Sequence, residues 1–185
     1  MRIVSGQYRG RLLPALPKAF KARPTTDFAK ENLFNILENS FDLSAVKVLD
    51  LFAGTGGISY EFASRGSRHI DTVEIEPLHY TYIKKTAETL DFTQIHVVRN
   101  DSFRFLKFCR ESYDIIFADP PYANSKTALI PKLVIENNLL NEGGYLIIEH
   151  SSTNNFSETE GFIRQRCYGS VNFSFFGKQD IQQLM

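Results

Sequence analysis

The spacing of apolar positions changes character along the chain. After the RPTT stretch the apolar residues Ala29, Leu33, Ile36 and Leu37 recur at i, i+4, i+7 and i+8, the repeat of one helical face. After Leu43 short apolar runs alternate with helical stretches. Runs at 46–52 (VKVLDLF), 69–75 (HIDTVEI), 94–99 (QIHVVR), 113–118 (YDIIFA) and 144–150 (GYLIIEH) predict five strands. Between them lie predicted helices at 57–64, 77–90, 102–109 and 126–138. Gly66 suits a helix stop and Pro77 a first helical turn. Pro131 must kink the last helix or reset its start. The tail, FIRQRCYGSVNFSFF, has two β-rich halves about Gly169, the pattern of an antiparallel hairpin.

Repeated strand–helix units with nearly continuous apolar strands predict a three-layer α/β fold of Rossmann-like type. Its sheet is expected to be mostly parallel, with the C-terminal hairpin antiparallel. The first twenty residues hold short β-like pieces broken by Gly6 and Gly10, a small hairpin-like module. Arg23 precedes a proline and is expected to be extended, with Thr25, Thr26 or Asp27 capping the helix that follows. The division expected is a basic extension over 1–24 and a main domain over 25–185.

Charge sharpens this division. Net charge is zero over 185 residues. Yet residues 1–30 carry Arg2, Arg9, Arg11, Lys18, Lys21, Arg23 and Lys30 against Asp27 alone. A basic segment on an acidic body suits a polyanionic partner such as nucleic acid. No apolar run reaches the ~20 residues of a membrane span, and no long apolar stretch marks the N-terminus as a signal peptide. A cytoplasmic protein is expected. Cys109 and Cys167 suggest no disulfide framework, and the four histidines show no metal-ligand spacing with them. No metal is expected.

In parallel α/β sheets ligands bind beyond the carboxyl ends of the strands. Four successive predicted strand ends carry specialised polar turns. The first is DLFAGTGG, with Asp50 ahead of Gly54, Gly56 and Gly57. Its glycines permit positive φ and close approach of a ligand, while Asp50 can accept from backbone amides or a ligand ammonium. Ser59 stands where the dinucleotide pattern wants a third glycine, which weakens a nicotinamide reading. The second end places Glu74 twenty residues after Gly54, where an acid can accept from ribose hydroxyls. At the third, Asp101 can accept from an adenine amino group, with Phe103 against the ring. The fourth is Asp119-Pro120-Pro121-Tyr122.

LDLFAGTGG, VEIE, ND and DPPY, in this order, resemble the motifs of class I S-adenosylmethionine-dependent methyltransferases that act on exocyclic amines. The front, SGQYRGRLL…RPTTDFAKENLFNIL, is similar to the RsmD family, bacterial methyltransferases of guanine N2 in 16S ribosomal RNA. The resemblance runs from residue 2 to about 176. Ser5 stands where many members have glycine, and Phe28 and Lys30 where arginines are frequent.

The resemblance implies S-adenosylmethionine as cofactor, contacted by Asp50, Phe52, Ala53, Gly54, Thr55 and Gly56, by Glu74 and Ile75, and by Asp101, Ser102 and Phe103. It implies 16S rRNA as substrate, free or within a partly or fully assembled small subunit, and a monomeric enzyme. Arg9, Arg11, Lys21, Arg23, Thr25 and Lys30 are the expected RNA contacts.

Asp119, Pro120, Pro121 and Tyr122 form the expected catalytic group. Asp119 and the Pro120 carbonyl can each accept an N–H of the amine and stabilise positive charge growing on nitrogen. Tyr122 can stack on the base. The tetrad is shared with adenine-N6 methyltransferases, so a DNA adenine methyltransferase stays open. So does a non-catalytic nucleic-acid-binding protein on this fold.

Overall fold

The computed structural model of the chain describes residues 1–17, 20, 25–121 and 126–178. Its elements follow in the order α1 (Asp27–Glu38), β1 (Lys47–Leu51), α2 (Gly57–Ser64), β2 (His69–Glu74), α3 (Pro77–Thr89), β3 (Ile95–Arg99), α4 (Ser102–Phe108), β4 (Tyr113–Ala118), α5 (Leu129–Glu136), β5 (Leu140–His150), β6 (Phe162–Tyr168) and β7 (Val171–Phe176). The strands form one sheet of order β3-β2-β1-β4-β5-β7-β6. The first five pair in parallel, and β7 joins β5 and β6 antiparallel. The order reverses between β1 and β4, where such sheets bind ligands.

Both faces of the sheet are covered. One core cluster packs Leu33, Phe34 and Leu37 of α1, Tyr60 and Phe62 of α2 and Ile83 of α3 against Val48, Ile70, Phe117, Ile147 and Phe175. The other packs Leu106 of α4 with Ile130 and Val134 of α5 against Leu49, Leu51, Ile116 and Ile148. Burial on both sides explains why the strands read as nearly continuous apolar runs.

Two elements differ from the periodicity. β5 starts at Leu140, four residues earlier than its apolar run, because Leu140 pairs with Tyr113 before a register shift restores Ile115 opposite Tyr145. α5 is short and starts at Leu129, so Pro131 sits in its first turn, where the missing N–H costs nothing. Thr26 is the N-cap of α1, its hydroxyl accepting from Ala29 N at 3.2 Å. α1 buries Ala29, Lys30, Leu33, Phe34 and Leu37 and leaves Ile36 half-buried.

The N-terminal segment packs onto the main body. Arg2 and Leu12 form an isolated antiparallel bridge, and Ile3 and Leu13 are buried in the first core cluster. Gly6 has a left-handed φ of +81° and lies against the end of α2; a Cβ there would be 2.1 Å from the Ser64 carbonyl oxygen. Gln7 N donates to that same oxygen at 2.7 Å. No helix among the described residues is long and apolar enough to cross a membrane.

Candidate active site

β1 ends in a sharp change of backbone direction. Phe52 takes a φ of 58°, rare for a non-glycine residue, and Gly54 and Gly56 follow at 56° and 78°. Such conformations persist where the surroundings over-determine them. Here Phe52 N donates to Ser102 Oγ at 3.2 Å, Ala53 N to Val73 O at 3.1 Å and Gly54 N to Glu74 Oε2 at 2.7 Å. A side chain at Gly56 would also collide with the Tyr60 ring at 2.8 Å. The turn thus brings strand ends β1, β2 and β3 together.

Asp50 is fully buried below this turn, its Oδ2 accepting from Ser59 N at 3.1 Å and Ser59 Oγ at 2.6 Å. Burial pushes its carboxyl up to about 7 despite these bonds, and nearby Glu74 adds to the rise. Ser59 therefore has its own task where a dinucleotide fold would carry glycine: it holds Asp50, and its hydroxyl lies 2.7 Å from Thr72 Oγ1.

Glu74 is buried, and both its oxygens already accept backbone N–H groups, from Gly54 and from Glu76 at 2.8 Å. A carboxylate offers about four acceptor positions, so each oxygen keeps capacity for a ribose hydroxyl. Ile75 next to it is exposed. Asp101 caps α4 through Arg104 N at 2.8 Å, and Phe103 packs edge-on against Phe52 at 5.5 Å between centroids. Thr55 Oγ1 donates to Met1 Sδ at 3.4 Å, so the chain's first residue touches the glycine turn.

β4 delivers Asp119 to the middle of this row. Its N–H reaches the Leu51 carbonyl oxygen at 3.4 Å. Pro120 is buried, and Pro121 is exposed. Burial, then the charges of Glu149 and Asp50, push the Asp119 carboxyl well above its ordinary range. Glu149 near the end of β5 is a site residue the sequence reading missed. Its signal is the one that marked Asp119, an acid closing an apolar run. It is buried, its carboxyl raised to about 7 by that burial while a bond from Thr25 Oγ1 (3.0 Å to Oε2) opposes the rise.

Asp50, Glu74, Asp119 and Glu149 take part in no ion pair with a described lysine or arginine. Four acids, buried Asp50, Glu74 and Glu149 and half-buried Asp119, thus stand at adjacent strand ends beside the glycine turn.

The expected RNA contacts divide. Arg9 and Arg11 are exposed on the N-terminal module. Tyr122, Lys21 and Arg23 lie outside the described residues. Lys30 is not a surface contact. It is 1% exposed, with its Nζ 3.2 Å from Glu61 Oε1, 2.8 Å from Arg2 O and 3.4 Å from Asp27 Oδ1. Glu61 is fully buried, pairs also with Arg65, and accepts from Val4 N at 2.7 Å. A buried carboxylate demands a cation, so Lys30 turns inward. The Thr25 hydroxyl is likewise engaged inside, on Glu149. The N-terminal segment also reaches the site beyond α2, through contacts with α3. Tyr82 Oη donates to Pro14 O at 2.8 Å, Phe20 lies 4.3 Å from the His79 ring, and His79 Nδ1 is 3.8 Å from Glu74 Oε2.

Comparison with known proteins agrees with this arrangement. A family described as "Conserved hypothetical protein 95" matches residues 1–177. YlbH of Bacillus subtilis is 36% identical over 186 residues, covering 97% of this chain and all of that protein. Ribosomal RNA small subunit methyltransferase D of Haemophilus influenzae is 30% identical over 182 residues, covering 95% of this chain and 93% of its own. A solved structure of a hypothetical protein from Thermus thermophilus superposes with a TM-score of 0.83 at 26% identity, over 95% of this chain and 98% of that one.

Proposed function

The chain belongs to the RsmD family, matched from residue 1 to 177, and from that membership we propose that it transfers a methyl group from S-adenosylmethionine to the exocyclic N2 of a guanine in bacterial 16S ribosomal RNA. The observation that carries this reading is Asp119: a carboxylate with no lysine or arginine partner among the described residues, projected from the central strand end beside the glycine turn.

S-adenosylmethionine supplies a methyl group on a positively charged sulfur, already activated for transfer. Everything else falls to the protein. The turn at Phe52, Ala53, Gly54, Thr55 and Gly56 and the carboxylate of Asp50 suit the amino-acid end of the cofactor. Glu74 suits the ribose, with Ile75 flanking it. Asp101, Ser102 and Phe103 suit the adenine.

The guanine amine is a poor nucleophile because its lone pair is delocalised into the ring. Ionised Asp119 accepts one of its N–H bonds and the Pro120 carbonyl the other. Two acceptors favour a pyramidal nitrogen and stabilise the charge that grows on it, which is electrostatic catalysis. Once the nitrogen is alkylated its surplus proton passes to Asp119. Tyr122 offers a ring face to the base. Arg9 and Arg11, joined by Lys21 and Arg23, hold the phosphate backbone; such contacts position the RNA while the pocket selects the base.

The test is transfer of labelled methyl groups to ribosomal RNA, naked and in assembled small subunits, followed by digestion and identification of the nucleoside. N2-methylguanosine in 16S RNA is expected. N6-methyladenine in DNA would replace this reading with its nearest rival. Absence of cofactor binding would leave a nucleic-acid-binding protein without catalysis.

A further inference from the structure

We propose that Glu149 is a positioning residue for the methyl-acceptor site: seated on β5 beside Asp119 and held by the Thr25 hydroxyl, it sets the charge state in which Asp119 meets the amine. The proposal rests on the methyl-transfer reading above for its consequence, though not for its geometry.

That geometry follows from register. Asp50 pairs with Phe117 across β1 and β4, and Phe117 with Ile147 across β4 and β5. Alternate residues of a strand share a face. Glu149, two beyond Ile147, lies on the same face as Asp50, and Asp119 stands one step past the Ala118–Ile148 pair, beside Glu149. Neighbouring strands lie about 4.8 Å apart, so two carboxyl groups are set side by side in a desolvated place.

No lysine or arginine among the described residues neutralises them. Asp50 faces the pair from β1, with Glu74 of β2 close to Asp50. On β7 the residue opposite Glu149 is Phe173. His150 turns to the other face, toward Ser174 and Phe156. From the segment before α1 comes the Thr25 hydroxyl, which donates to Glu149.

Two adjacent carboxyls, Glu149 buried and Asp119 half-buried beside it, cannot both ionise freely, and they titrate as a pair. The Thr25 hydroxyl stabilises the charged form of Glu149. The proton that the pair retains therefore rests on Asp119. A protonated Asp119 points a donor at an amine that itself needs acceptors. The site becomes competent when that proton leaves, and the charge on Glu149 decides at what pH this happens.

Glu149→Gln keeps the shape and an acceptor for Thr25 but removes the charge. Two measurements test the proposal. The first is a carbon-13 NMR titration of side-chain carboxyls in the protein without cofactor or RNA. In the wild type, Asp119 and Glu149 are expected to show mutually dependent titrations above the ordinary carboxyl range. In Glu149→Gln the Asp119 midpoint is expected to fall by on the order of one pH unit. Thr25→Val is expected to raise the Glu149 midpoint.

The second measurement is single-turnover methyl transfer against pH. The acid limb of Glu149→Gln is expected to shift downward by the same amount, giving about a tenfold larger fraction of its own plateau rate at the foot of the limb. Independent single-step titrations in the wild type would overturn the proposal, as would an unmoved Asp119 midpoint and acid limb in Glu149→Gln. The wild-type titration stands even should the variant fail to fold. The two readings fail separately: methylation of a different base with the carboxyls still coupled defeats the assigned substrate, while guanine methylation with uncoupled carboxyls defeats the role of Glu149.

Discussion

Replacing Lys30 by Met distinguishes a core residue from an RNA contact. The substitution keeps the apolar stem and removes the ammonium. Three interactions go with it: those to Glu61 at 3.2 Å, to the Arg2 carbonyl at 2.8 Å and to Asp27 at 3.4 Å. Glu61 stays buried with its charge, now facing Arg65 and the Val4 N–H alone. Removing one member of a buried ion pair costs about 3–5 kcal/mol, because the other charge is left uncompensated. Arg65 remains in place, so the lower end, about 3 kcal/mol, applies. For a domain of this size each kcal/mol moves Tm by about 2–4 °C, which gives a fall of about 6–12 °C. Urea unfolding and a thermal scan measure the loss. Binding to a 16S fragment between 50 and 200 mM salt, at a temperature where the variant is folded, measures the other arm. The log–log salt slope is expected to stay at the wild-type value, since a buried ammonium neutralises no phosphate. Wild-type stability together with a flatter salt slope would refute the reasoning and return Lys30 to the RNA surface.

Asp119→Ala is expected to keep the fold and cofactor affinity while methyl transfer in a single turnover falls by ~10²–10³; a near-normal rate would leave the Asp-Pro-Pro turn as a strand stop. Glu74→Ala is expected to weaken cofactor binding roughly ten- to a hundredfold by calorimetry, since hydrogen bonds to a charged group are worth ~1.5–3 kcal/mol; unchanged affinity would remove Glu74 from the site. Arg9→Ala with Arg11→Ala is expected to lower the RNA salt slope by about 0.7–0.9 per lost phosphate contact and to leave Tm unchanged; an unchanged slope would make these cations bystanders. Asp50 and Glu149, both raised to about 7, hold protons in the folded protein that the unfolded chain has released above the ordinary carboxyl range. Their contribution to stability is therefore full below that range and is lost as pH rises through about 7. Urea midpoints of the cofactor-free protein across pH 4 to 8 read this decline, and a Glu149→Gln variant with an undiminished decline would contradict it.

The strands were legible because a sheet covered on both faces leaves runs of Ile, Val and Phe with little interruption, and β4 follows its run at Tyr113–Ala118. Their ends were legible because glycines and prolines break such runs in characteristic ways. Glu149 shares the signal of an acid closing an apolar run, but no glycine or proline follows it to mark a specialised turn. Lys30 was illegible for a deeper reason. A lysine on a helix gives the same local pattern whether its stem runs to solvent or into a pocket. What decides is Glu61, thirty-one positions later, and nothing in the local periodicity links the two. The task of Ser59 was hidden in the same way. Against a dinucleotide template it is a missing glycine, and only the fold reveals Asp50 beneath its hydroxyl.

The inward turn of Lys30 changes how the basic N-terminus is to be understood. Seven cations precede residue 31, yet Arg2 pairs with Asp27 at 2.9 Å and Lys30 is committed to Glu61. Among the described residues, Arg9 and Arg11 remain outward, on a turn pinned at Gly6 against Ser64 and flanked by buried Ile3 and Leu13. This module also donates Val4 N to Glu61 and rests Met1 against Thr55 in the glycine turn. Removing it would take two apolar side chains, Ile3 and Leu13, out of the first core cluster, remove a donor from a buried carboxylate and uncover the glycine turn at Thr55, all in addition to any loss of RNA contacts. A truncated protein that fails to methylate RNA would thus say nothing about which of these was needed. Substitution at Arg9 and Arg11 touches none of the buried contacts, so a change in salt dependence at constant Tm would assign the RNA grip to those two side chains.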